Sequence, residues 1–266
     1  MSIGWGLLRR RVASPIFAFV LGEIVALLSF EDRPSDSRYI EGVWRSHSSA
    51  AGVFQSIAES NLELVVSRLP GAVRVTLRGP VTRPSLIPCP AHGRWLAIRF
   101  RLGTYLPRLP AALLLNHHSV DLPVTPDGRF WLEGAAWEIP GFGNAEVFVE
   151  RLARRGVVAF DAAVPGTIGD GIQGVTVRTV QRRLLRATGL THGCLRQIER
   201  ARLAVSLLRS GCPILDVVHD AGYFDQPHLT RSLRRLTGQT PRQISSNETQ
   251  LSFLYKTRPH PLVRIG

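Results

Sequence analysis

A repeated segment in the second half of the chain constrains its fold more than any other feature. The residues VQRRLLRATGLT, which begin at Val180, resemble LTRSLRRLTGQT, which begin at Leu229. Leucines, arginines and a Thr-Gly pair recur in register, and the offset is 238 − 189 = 49 residues. A single repeat at this distance is too short an array for a solenoid and has the size of a duplicated helical unit. We therefore predict a helical C-terminal region built from two related units.

The second copy carries the signals of a helix, a tight turn and a second helix. Pro213 suits the first turn of a helix, and Gly222 suits the left-handed turn that ends one. Asp225 is placed to cap a second helix, whose leucines recur at three- and four-residue steps and predict a buried stripe. Thr240 to Gln243 has the form of a capping box, so another helix is expected to begin there.

A helix, a turn and a capped basic helix form the unit whose second helix enters the major groove of DNA. In the first copy Gly174 would make the turn and Thr176 would cap the second helix. Arg and Gln are the side chains that read guanine and adenine through two hydrogen bonds. The candidate DNA-binding residues on the outward faces are Arg178, Gln181, Arg182 and Arg186 in the first copy and His228, Arg231 and Arg235 in the second.

A helical stretch from Leu195 to Arg209 joins the two copies. About 15 residues at ~1.5 Å each make a rod of roughly 22 Å. With its flanking helices, such a rod can hold two reading helices about 34 Å apart, which is one turn of B-DNA. We therefore expect one chain to read two adjacent half-sites.

The run PILDVVHDAGYFDQPHLTRSLRRLTGQTP, with RTVQRRLLRATGLT upstream, resembles the DNA-binding domain of the AraC/XylS family of transcription regulators. The pattern G-(Y/F)-x-(D/S)-Q-x-x-(L/F)-x-R followed by G-x-T-P carries the resemblance, which runs from Val164 to Ile244 and covers about 30% of the chain. It implies seven helices with two helix-turn-helix motifs joined by a long helix. By position it also implies base or phosphate contacts from Arg178, Gln181, Arg182, Gln226, His228 and Arg231.

The first motif departs from the family pattern at two places. Its leading helix would run from Gly166 to Gly174, and each of the glycines within it costs up to ~1 kcal/mol relative to alanine. This helix is therefore expected to be short or irregular. His192 stands where the family has the proline of its first G-x-(S/T)-P, which predicts a weaker cap without a change in the reading surface.

The charge of the chain agrees with a polyanionic partner. The formal net charge is +13 and the pI is about 11.2. From Glu150 to the end there are 18 Arg or Lys residues against 8 acidic ones, so the surplus lies mainly in the half that carries the repeat. The three cysteines form no CxxC pair and predict neither a disulfide framework nor a zinc site, which fits a reducing cytoplasm.

The region from Arg38 to Leu122 is strand-like. Leu62–Leu69, Val73–Leu77 and Trp95–Phe100 are rich in Val, Ile and Leu, with Pro-Gly and Gly-Pro pairs between them. A helical rhythm begins at Asn144. Regulators of the AraC type usually carry an N-terminal domain, often a cupin-like barrel, that binds a small effector or mediates dimerisation. We therefore predict an α+β protein with a β-rich, cupin-like N-terminal domain, followed by an all-α C-terminal domain with two helix-turn-helix motifs and a linker helix.

The N-terminal half shows no catalytic pattern. No Ser-His-Asp set, paired carboxylates or phosphate loop is visible, and His92, His117 and His118 lack the His-x-His spacing with a carboxylate that a cupin metal site needs. We therefore predict no enzyme activity, no metal and no cofactor. Core packing is the expected role of the aromatic side chains and lining of an effector pocket is the alternative; they are Trp44, Trp95, Trp131, Trp137, Tyr39 and Tyr105.

The apolar stretch from Val12 to Phe30 follows three arginines and loosely imitates a signal peptide or a short membrane span. Glu23 in its middle and the DNA-reading half favour a docking helix or an upstream extension, and hence a cytoplasmic protein without membrane attachment. The predicted divisions are an extension at 1–37, a regulatory domain at 38–140, the DNA-binding domain at 141–250 and a tail at 251–266.

The favoured hypothesis is a sequence-specific transcription regulator controlled through its N-terminal domain. Double-stranded DNA is the expected partner; RNA polymerase, a small-molecule effector and a second copy of the chain are further candidates. The rival hypotheses are an enzyme whose β-domain acts on a small molecule and a DNA binder anchored through residues 12–30. Convergent titratable groups in a pocket would favour the enzyme, whereas an apolar aromatic pocket would favour sensing.

Overall fold

The computed structural model describes residues 28–116, 119–166 and 176–246. The first part is mainly β-structure and the second part is helical. The strands are β1 Leu28–Pro34, β2 Ile40–Ser48, β3 Gly52–Ser56, β4 Glu63–Leu69, β5 Ala72–Arg78, β6 Ser85–Cys89, β7 Arg94–Phe100, β8 Thr104–Tyr105, β9 Val120–Leu122, β10 Arg129–Leu132, β11 Ala135–Glu138 and β12 Ala159–Phe160. The helices are α1 Ala145–Arg154, α2 Ala163–Gly166, α3 Val177–Thr188, α4 His192–Arg209, α5 Ile214–Asp220, α6 Gln226–Thr237 and α7 Pro241–Ser245, with a 3-10 turn at Ala111–Leu114.

Six antiparallel strands form the main sheet in the order β1-β2-β7-β4-β5-β9. The three strands predicted at Leu62–Leu69, Val73–Leu77 and Trp95–Phe100 are confirmed as β4, β5 and β7, with ends that differ by a residue or so. A two-stranded ribbon of β3 and β6 and a hairpin of β10 and β11 complete this part. The predicted β-rich region is thus confirmed, and its likeness to a cupin remains a prediction.

The two faces of the sheet differ in chemistry because side chains alternate along each strand. One face carries Val43, Ile98, Leu64 and Leu77 in a row across four strands, and it packs under α1 and the β10–β11 hairpin. The next row, on the opposite face, contains polar residues such as Thr76. The β3–β6 ribbon covers this second face, with cavities between the ribbon and the sheet.

The helical part has its own core. The side chains of Leu229, Leu233 and Leu236 are 0–2% exposed, which confirms the stripe predicted from their spacing. Leu184 is equally buried at the equivalent place in α3. The sequence spacing also predicts that Leu185 in α3 and Leu215 in α5 face inward, and this is wrong for both. Leu185 is 44% exposed and Leu215 is 70% exposed, so each lies on the solvent side of its helix.

The β-rich part extends further along the chain than the predicted limits of 38 and 140. Leu28–Pro34 pairs with β2 along its whole length, although it lies in the segment assigned to an extension. Phe148 and Leu152 of α1 are buried in the core of the β-sheet. The sequence pattern concealed this, since β1 continues an apolar run and α1 has the amphipathic rhythm of any surface helix. The domain division itself stays a prediction.

The two parts pack against each other through buried residues. Ile57 and Ala58, between β3 and β4, belong to the core of the helical part. The backbone N–H of Ala58 donates to the carbonyl of Leu236 in α6 at 2.8 Å. The helical unit is therefore docked on the β-rich unit by apolar contact and by a main-chain hydrogen bond.

Within the described ranges, no helix combines the length and the apolar character needed to cross a bilayer. The predicted docking or anchoring segment from Val12 to Phe30 lies outside these ranges up to residue 27, and its last three residues begin β1.

Candidate nucleic-acid interface

The predicted second helix-turn-helix motif corresponds to α5, a turn at Gly222 and α6. Gly222 has a φ of +67°, a conformation that the lack of a Cβ favours, as expected from the sequence. The Asp225 carboxylate accepts the backbone N–H of His228 at 2.6 Å and caps α6, which confirms the predicted N-cap. Gly238 ends α6 in the left-handed conformation, and Thr240 with Gln243 forms the predicted capping box of α7.

A cation–π contact fixes the turn of this motif. The guanidinium of Arg200 in α4 lies 4.5 Å from the ring centroid of Tyr223 and donates to the carbonyl of Gly222 at 3.2 Å. The Tyr223 ring also meets the His228 ring edge to face, with the centroids 5.2 Å apart. Sequence reasoning missed Arg200 because its partners are more than twenty residues away, in the turn between α5 and α6.

The first motif shows the same local structure in its second helix. The Thr176 hydroxyl accepts the backbone N–H of Thr179 at 3.3 Å and caps α3, as predicted. The helix ends at Gly189, which is left-handed with a φ of +69°. The predicted turn at Gly174 and most of the leading helix from Gly166 onward lie outside the described residues, so this half of the motif stays a prediction.

The repeat seen in the sequence is a repeat in geometry. Thr188 and Thr237 occupy equivalent sites, and each hydroxyl donates to the carbonyl four residues earlier, at 2.8 Å and 2.7 Å. Each hydroxyl also accepts the backbone N–H two residues later, at 3.0 Å and 3.2 Å. Both hydroxyls therefore stabilise the same kind of helix end, so α3 and α6 end in the same local structure.

The solvent faces of α3 and α6 carry the predicted reading residues. Of the eight candidates, seven are exposed; they are Arg178, Gln181, Arg182, Arg186, Gln226, Arg231 and Arg235. His228 is the exception, since it is half-buried against Tyr223. Contact of these eight residues with DNA remains a prediction.

Two of the exposed arginines already make contacts within the protein. Arg186 lies 4.7 Å from the ring centroid of Tyr105 on β8, and Arg235 donates to the side-chain oxygen of Gln197 in α4 at 2.7 Å. Arg183, which was not among the predicted residues, faces Asp161 at 3.4 Å. The side of α3 that holds Arg183 and Arg186 therefore faces the β-rich part, whereas Arg178 and Arg182 show no such contact.

An aromatic side chain that the sequence did not single out stands at the start of the second recognition helix. Phe224 is 91% exposed and directly precedes the cap at Asp225. Its backbone N–H donates to the His228 ring at 3.4 Å. Its position at the start of the helix matters because an apolar contact with a thymine methyl is one of the recognised modes of base reading.

The helix α4 joins the two units. It has 18 residues and is capped by the Thr191 hydroxyl, which accepts the backbone N–H of Cys194 at 3.3 Å. The cap therefore forms with His192 in place of the family's proline, although without the reciprocal bond present at Thr240. Most of the side chains on the inner face of α4 are fully buried.

A buried cluster of charges ties α4 to the β-rich part. Arg202 lies 3.1 Å from Glu41 on β2, 3.7 Å from Glu59 and 3.3 Å from Glu199 one turn earlier in α4. The Ser60 hydroxyl donates to Glu199. Burial raises the pKa of the Glu59 carboxyl, and the Arg202 charge opposes this shift. Charged groups removed from water in this way hold the two parts in one orientation only while they remain paired.

Comparison with known proteins shows what the helical part is similar to. Residues 172–247 match the family of the helix-turn-helix domain. The chain is also 38% identical over 77 residues to the HTH-type transcriptional regulator RipA of Corynebacterium glutamicum. This match covers 29% of the chain and 23% of that regulator, so the chain spans under a quarter of the length of this curated relative. No solved structure matches the chain. The resemblance found in the repeat is thus confirmed, and residues 172–247 are a helix-turn-helix domain of the AraC type.

Proposed function

We propose that the chain is a sequence-specific DNA-binding transcription regulator that reads two adjacent major-groove half-sites with α3 and α6. The repeated recognition helix is the observation that carries this proposal. Two capped helices, each closed by the same Thr-Gly exit, present arginine and glutamine to solvent. Arginine and glutamine at exposed positions of such helices supply both phosphate contacts and bidentate base contacts.

The charge of the chain supplies the affinity in this proposal. A net charge of +13 attracts the phosphate backbone without regard to sequence. Specificity then comes from the recognition helices, with Arg178, Gln181 and Arg182 in α3 and Gln226 and Arg231 in α6 placed to reach the bases. His228 is expected to hold the start of α6 through Tyr223 and to present one ring nitrogen to the duplex. Arg186 and Arg235 are expected to reach phosphates.

The experiment that tests this function is genome-wide footprinting of the protein on its own chromosome, followed by gel shifts on the recovered sites. A regulator of this type protects sites with two half-sites about one helical turn apart. Protection without a shared sequence would leave only a nonspecific DNA binder, and no protection at all would refute DNA binding. The recovered promoters, compared in a deletion strain, then tell whether transcription rises or falls and whether RNA polymerase is a partner.

We further propose that the β-rich part is a cupin-like regulatory domain without catalytic activity. Its cavities contain both aromatic and charged side chains. Titratable groups would favour an enzyme and an apolar aromatic lining would favour a sensor, so the lining alone does not separate the two. The charged groups favour a sensor because several of them already bind partners within the protein. Glu63 pairs with Arg99 at 3.4 Å, and Asp121 accepts a hydrogen bond from Thr76 at 2.7 Å. A group held in such pairs is poorly placed to exchange protons with a substrate.

Control of DNA binding by this domain follows from the contact between the two parts. An effector that binds one docked arrangement more tightly than another shifts the population toward it. The proposal includes a cytoplasmic protein, and it leaves a homodimer as the alternative to a single chain reading both half-sites. Analytical ultracentrifugation of the full chain, free and on a two-half-site duplex, distinguishes one copy per duplex from two.

A further inference from the structure

A cavity of about 240 Å³ lies beside the contact between the two parts of the molecule. It is enclosed by the β3–β6 ribbon and the polar face of the main sheet, and Phe54 and Ile87 give it apolar walls. A second cavity of about 310 Å³ shares both of these residues, so the two spaces adjoin. Glu59 and Asn61 line the first cavity at its end nearest α4.

The carboxylate of Glu59 is only half satisfied. Its Oε1 accepts the backbone N–H groups of Ser60 at 3.1 Å and Asn61 at 3.3 Å, and the Arg202 guanidinium is 3.7 Å away. Its Oε2 is buried and has no hydrogen-bond partner. Glu59 is 4% exposed, and a buried polar atom without a partner costs about 1–3 kcal/mol or more when it is charged. A donor inside the cavity would remove that cost.

The backbone fixes Glu59 in this position. Its N–H and its carbonyl both pair with Val81, each at 2.7 Å, which fixes the main chain. The two N–H bonds to Oε1 then hold the carboxylate itself in place. The next residue toward the N-terminus, Ala58, is held by its bond to Leu236. The unpartnered oxygen is therefore a built feature of the cavity wall and not a loosely placed surface group.

The charge around this oxygen favours a cationic donor. Among the described residues, the buried cluster around Glu59 holds more carboxylates than guanidinium groups: Glu41, Glu59, Glu63 and Glu199 against Arg99 and Arg202. Arg78 also borders the cavity, but from β5, where it lies opposite Glu63 in the sheet register. A cation would therefore be drawn to the Glu59 end, and an apolar body would lie along Phe54 and Ile87.

We propose that this cavity binds a small organic molecule carrying a primary ammonium group, which donates a hydrogen bond to Glu59 Oε2 while its apolar body packs on Phe54 and Ile87. The assignment of this molecule as an effector rests on the proposed regulatory function; its binding does not. An ammonium next to Glu59 also repels the guanidinium of Arg202, because two like charges then share one carboxylate. Binding at the cavity is thereby coupled to the docking of α4.

The binding test uses the full-length protein and matched probes. The amines are 2-phenylethylamine and 1,4-diaminobutane; 2-phenylethanol and phenylacetate share the body of the first but lack the cation. We expect 2-phenylethylamine at millimolar concentration to raise the thermal midpoint and to give a saturable signal in calorimetry, because a ligand stabilises the state that it binds. Stabilisation by neither amine, or equal stabilisation by the alcohol or the carboxylate, would overturn the proposal.

Three variants locate the site. Glu59→Gln keeps the shape but turns an N–H₂ group or a neutral oxygen toward the cavity, and it should weaken amine binding by roughly tenfold or more. Ser56→Leu narrows the cavity without touching Glu59 and should weaken binding as well. Glu31→Gln also removes one carboxylate, but at an exposed pair with Arg45, and should bind like the wild type. Unchanged binding in both cavity variants, with folding verified by circular dichroism, would refute the site.

A gel shift in the same titration separates this inference from the proposed function. We expect 2-phenylethylamine to change the affinity for a footprinted duplex in the wild type and not in Glu59→Gln. Amine binding to a protein that recognises no DNA site would support the cavity and refute the regulator. DNA recognition by a protein that binds no amine would support the regulator and refute the amine site.

Discussion

The guanidinium of Arg202, in the helix that joins the two recognition helices, donates to the carboxylate of Glu41 on β2 at 3.1 Å. The residues are far apart in sequence, and both side chains are largely removed from solvent. Arg202 also faces Glu59 and Glu199, so a single cation neutralises carboxylates from both parts of the molecule. Arg202 therefore helps to fix the orientation of the helical part on the β-rich part, together with the main-chain hydrogen bond between Ala58 and Leu236.

Arg202→Met is expected to destabilise the protein by about 3–5 kcal/mol, since removing one member of a buried ion cluster leaves the others uncompensated. Urea unfolding followed by fluorescence measures the change. The matched control is Arg183→Met, whose partner Asp161 is reached through a partly exposed pair at 3.4 Å. That variant should lose about 1 kcal/mol or less. Equal effects from the two substitutions would contradict the role assigned to Arg202.

Arg231→Ala should weaken binding to a specific site by roughly 1–3 kcal/mol and leave the fold intact, because its side chain is exposed on α6 and makes no packing contact that the core needs. Gel shifts on the footprinted duplex and on random DNA of equal length measure both affinities. Arg108→Ala, at a 79% exposed side chain of the β-rich part, removes the same charge and serves as the control. Equal losses on the two duplexes would reduce Arg231 to a phosphate contact.

Phe224→Ala should reduce specific DNA affinity without loss of stability. The side chain is 91% exposed, so little packing is lost, but it stands at the amino-terminal end of the helix that would enter the groove. Competition with duplexes in which single thymines are replaced by uracil tests the contact directly, because uracil lacks the methyl group. The wild type should discriminate at one position and the variant should not; a wild type indifferent to every such replacement would exclude a methyl contact.

Gly189→Ala should destabilise the protein more than Gly211→Ala, although both glycines have a positive φ, +69° and +86°. Both changes strain the backbone, at a cost somewhat above ~1 kcal/mol. A Cβ at Gly189 would also lie 2.9 Å from the backbone of Ala112, whereas a Cβ at Gly211 has nothing within 4 Å. Overpacking against the β-rich part should add about 1–3 kcal/mol to the first variant. Thermal unfolding of the pair measures the difference.

The stability of the protein should fall in acid through the pair of Arg33 and Glu146. A bidentate hydrogen bond from Arg33, with N–O distances of 2.6 Å and 2.8 Å, lowers the pKa of Glu146 from 4.5 to about 2. A carboxyl whose folded pKa is depressed stabilises the fold above its unfolded pKa, and the contribution is lost as the pH falls from about 4.5 to about 2.

Glu146→Gln and Arg33→Gln should each remove the same part of the acid dependence, and the double variant should remove no more than either single one. The pair joins β1 to α1, and it is partly exposed, so the effect is expected to be modest. Urea midpoints measured across this pH range give the result. Additive effects in the double variant would show that the two residues act independently.

The elements with a strong local signal could be predicted from the sequence. Asp225, Thr176 and the Thr240 capping box were found because a cap is decided by residues three positions apart. The leucines of α6 were found because their spacing matches the helical period. The same local logic identified β4, β5 and β7, whose content of Val, Ile and Leu reflects the burial of much of each strand.

What the sequence did not show depends on contacts between distant segments. The exposure of Leu185 and Leu215 depends on which side of each helix the neighbouring elements leave uncovered. The identity of a hydrophobic residue does not show whether its side of the helix is covered. The place of β1 in the sheet required its pairing with β2, and the stacking of Arg200 on Tyr223 required the fold of the whole domain. The partners of Arg202 are invisible to any local window for the same reason.

The glycines that close the two recognition helices, Gly189 and Gly238, both abut the β-rich part: one faces the backbone at Ala112 and the other the side chain of Gln55. The N-terminal part thus contacts the ends of both helices at corresponding points, which fixes the distance and the angle between them. A single base pair inserted between half-sites turns them by about 34–36° relative to each other. A protein whose two helices are fixed in this way should bind poorly to a site with such an insertion. Substitutions that weaken the contacts of Gly189 and Gly238 with the β-rich part should widen the range of half-site spacings that the protein binds.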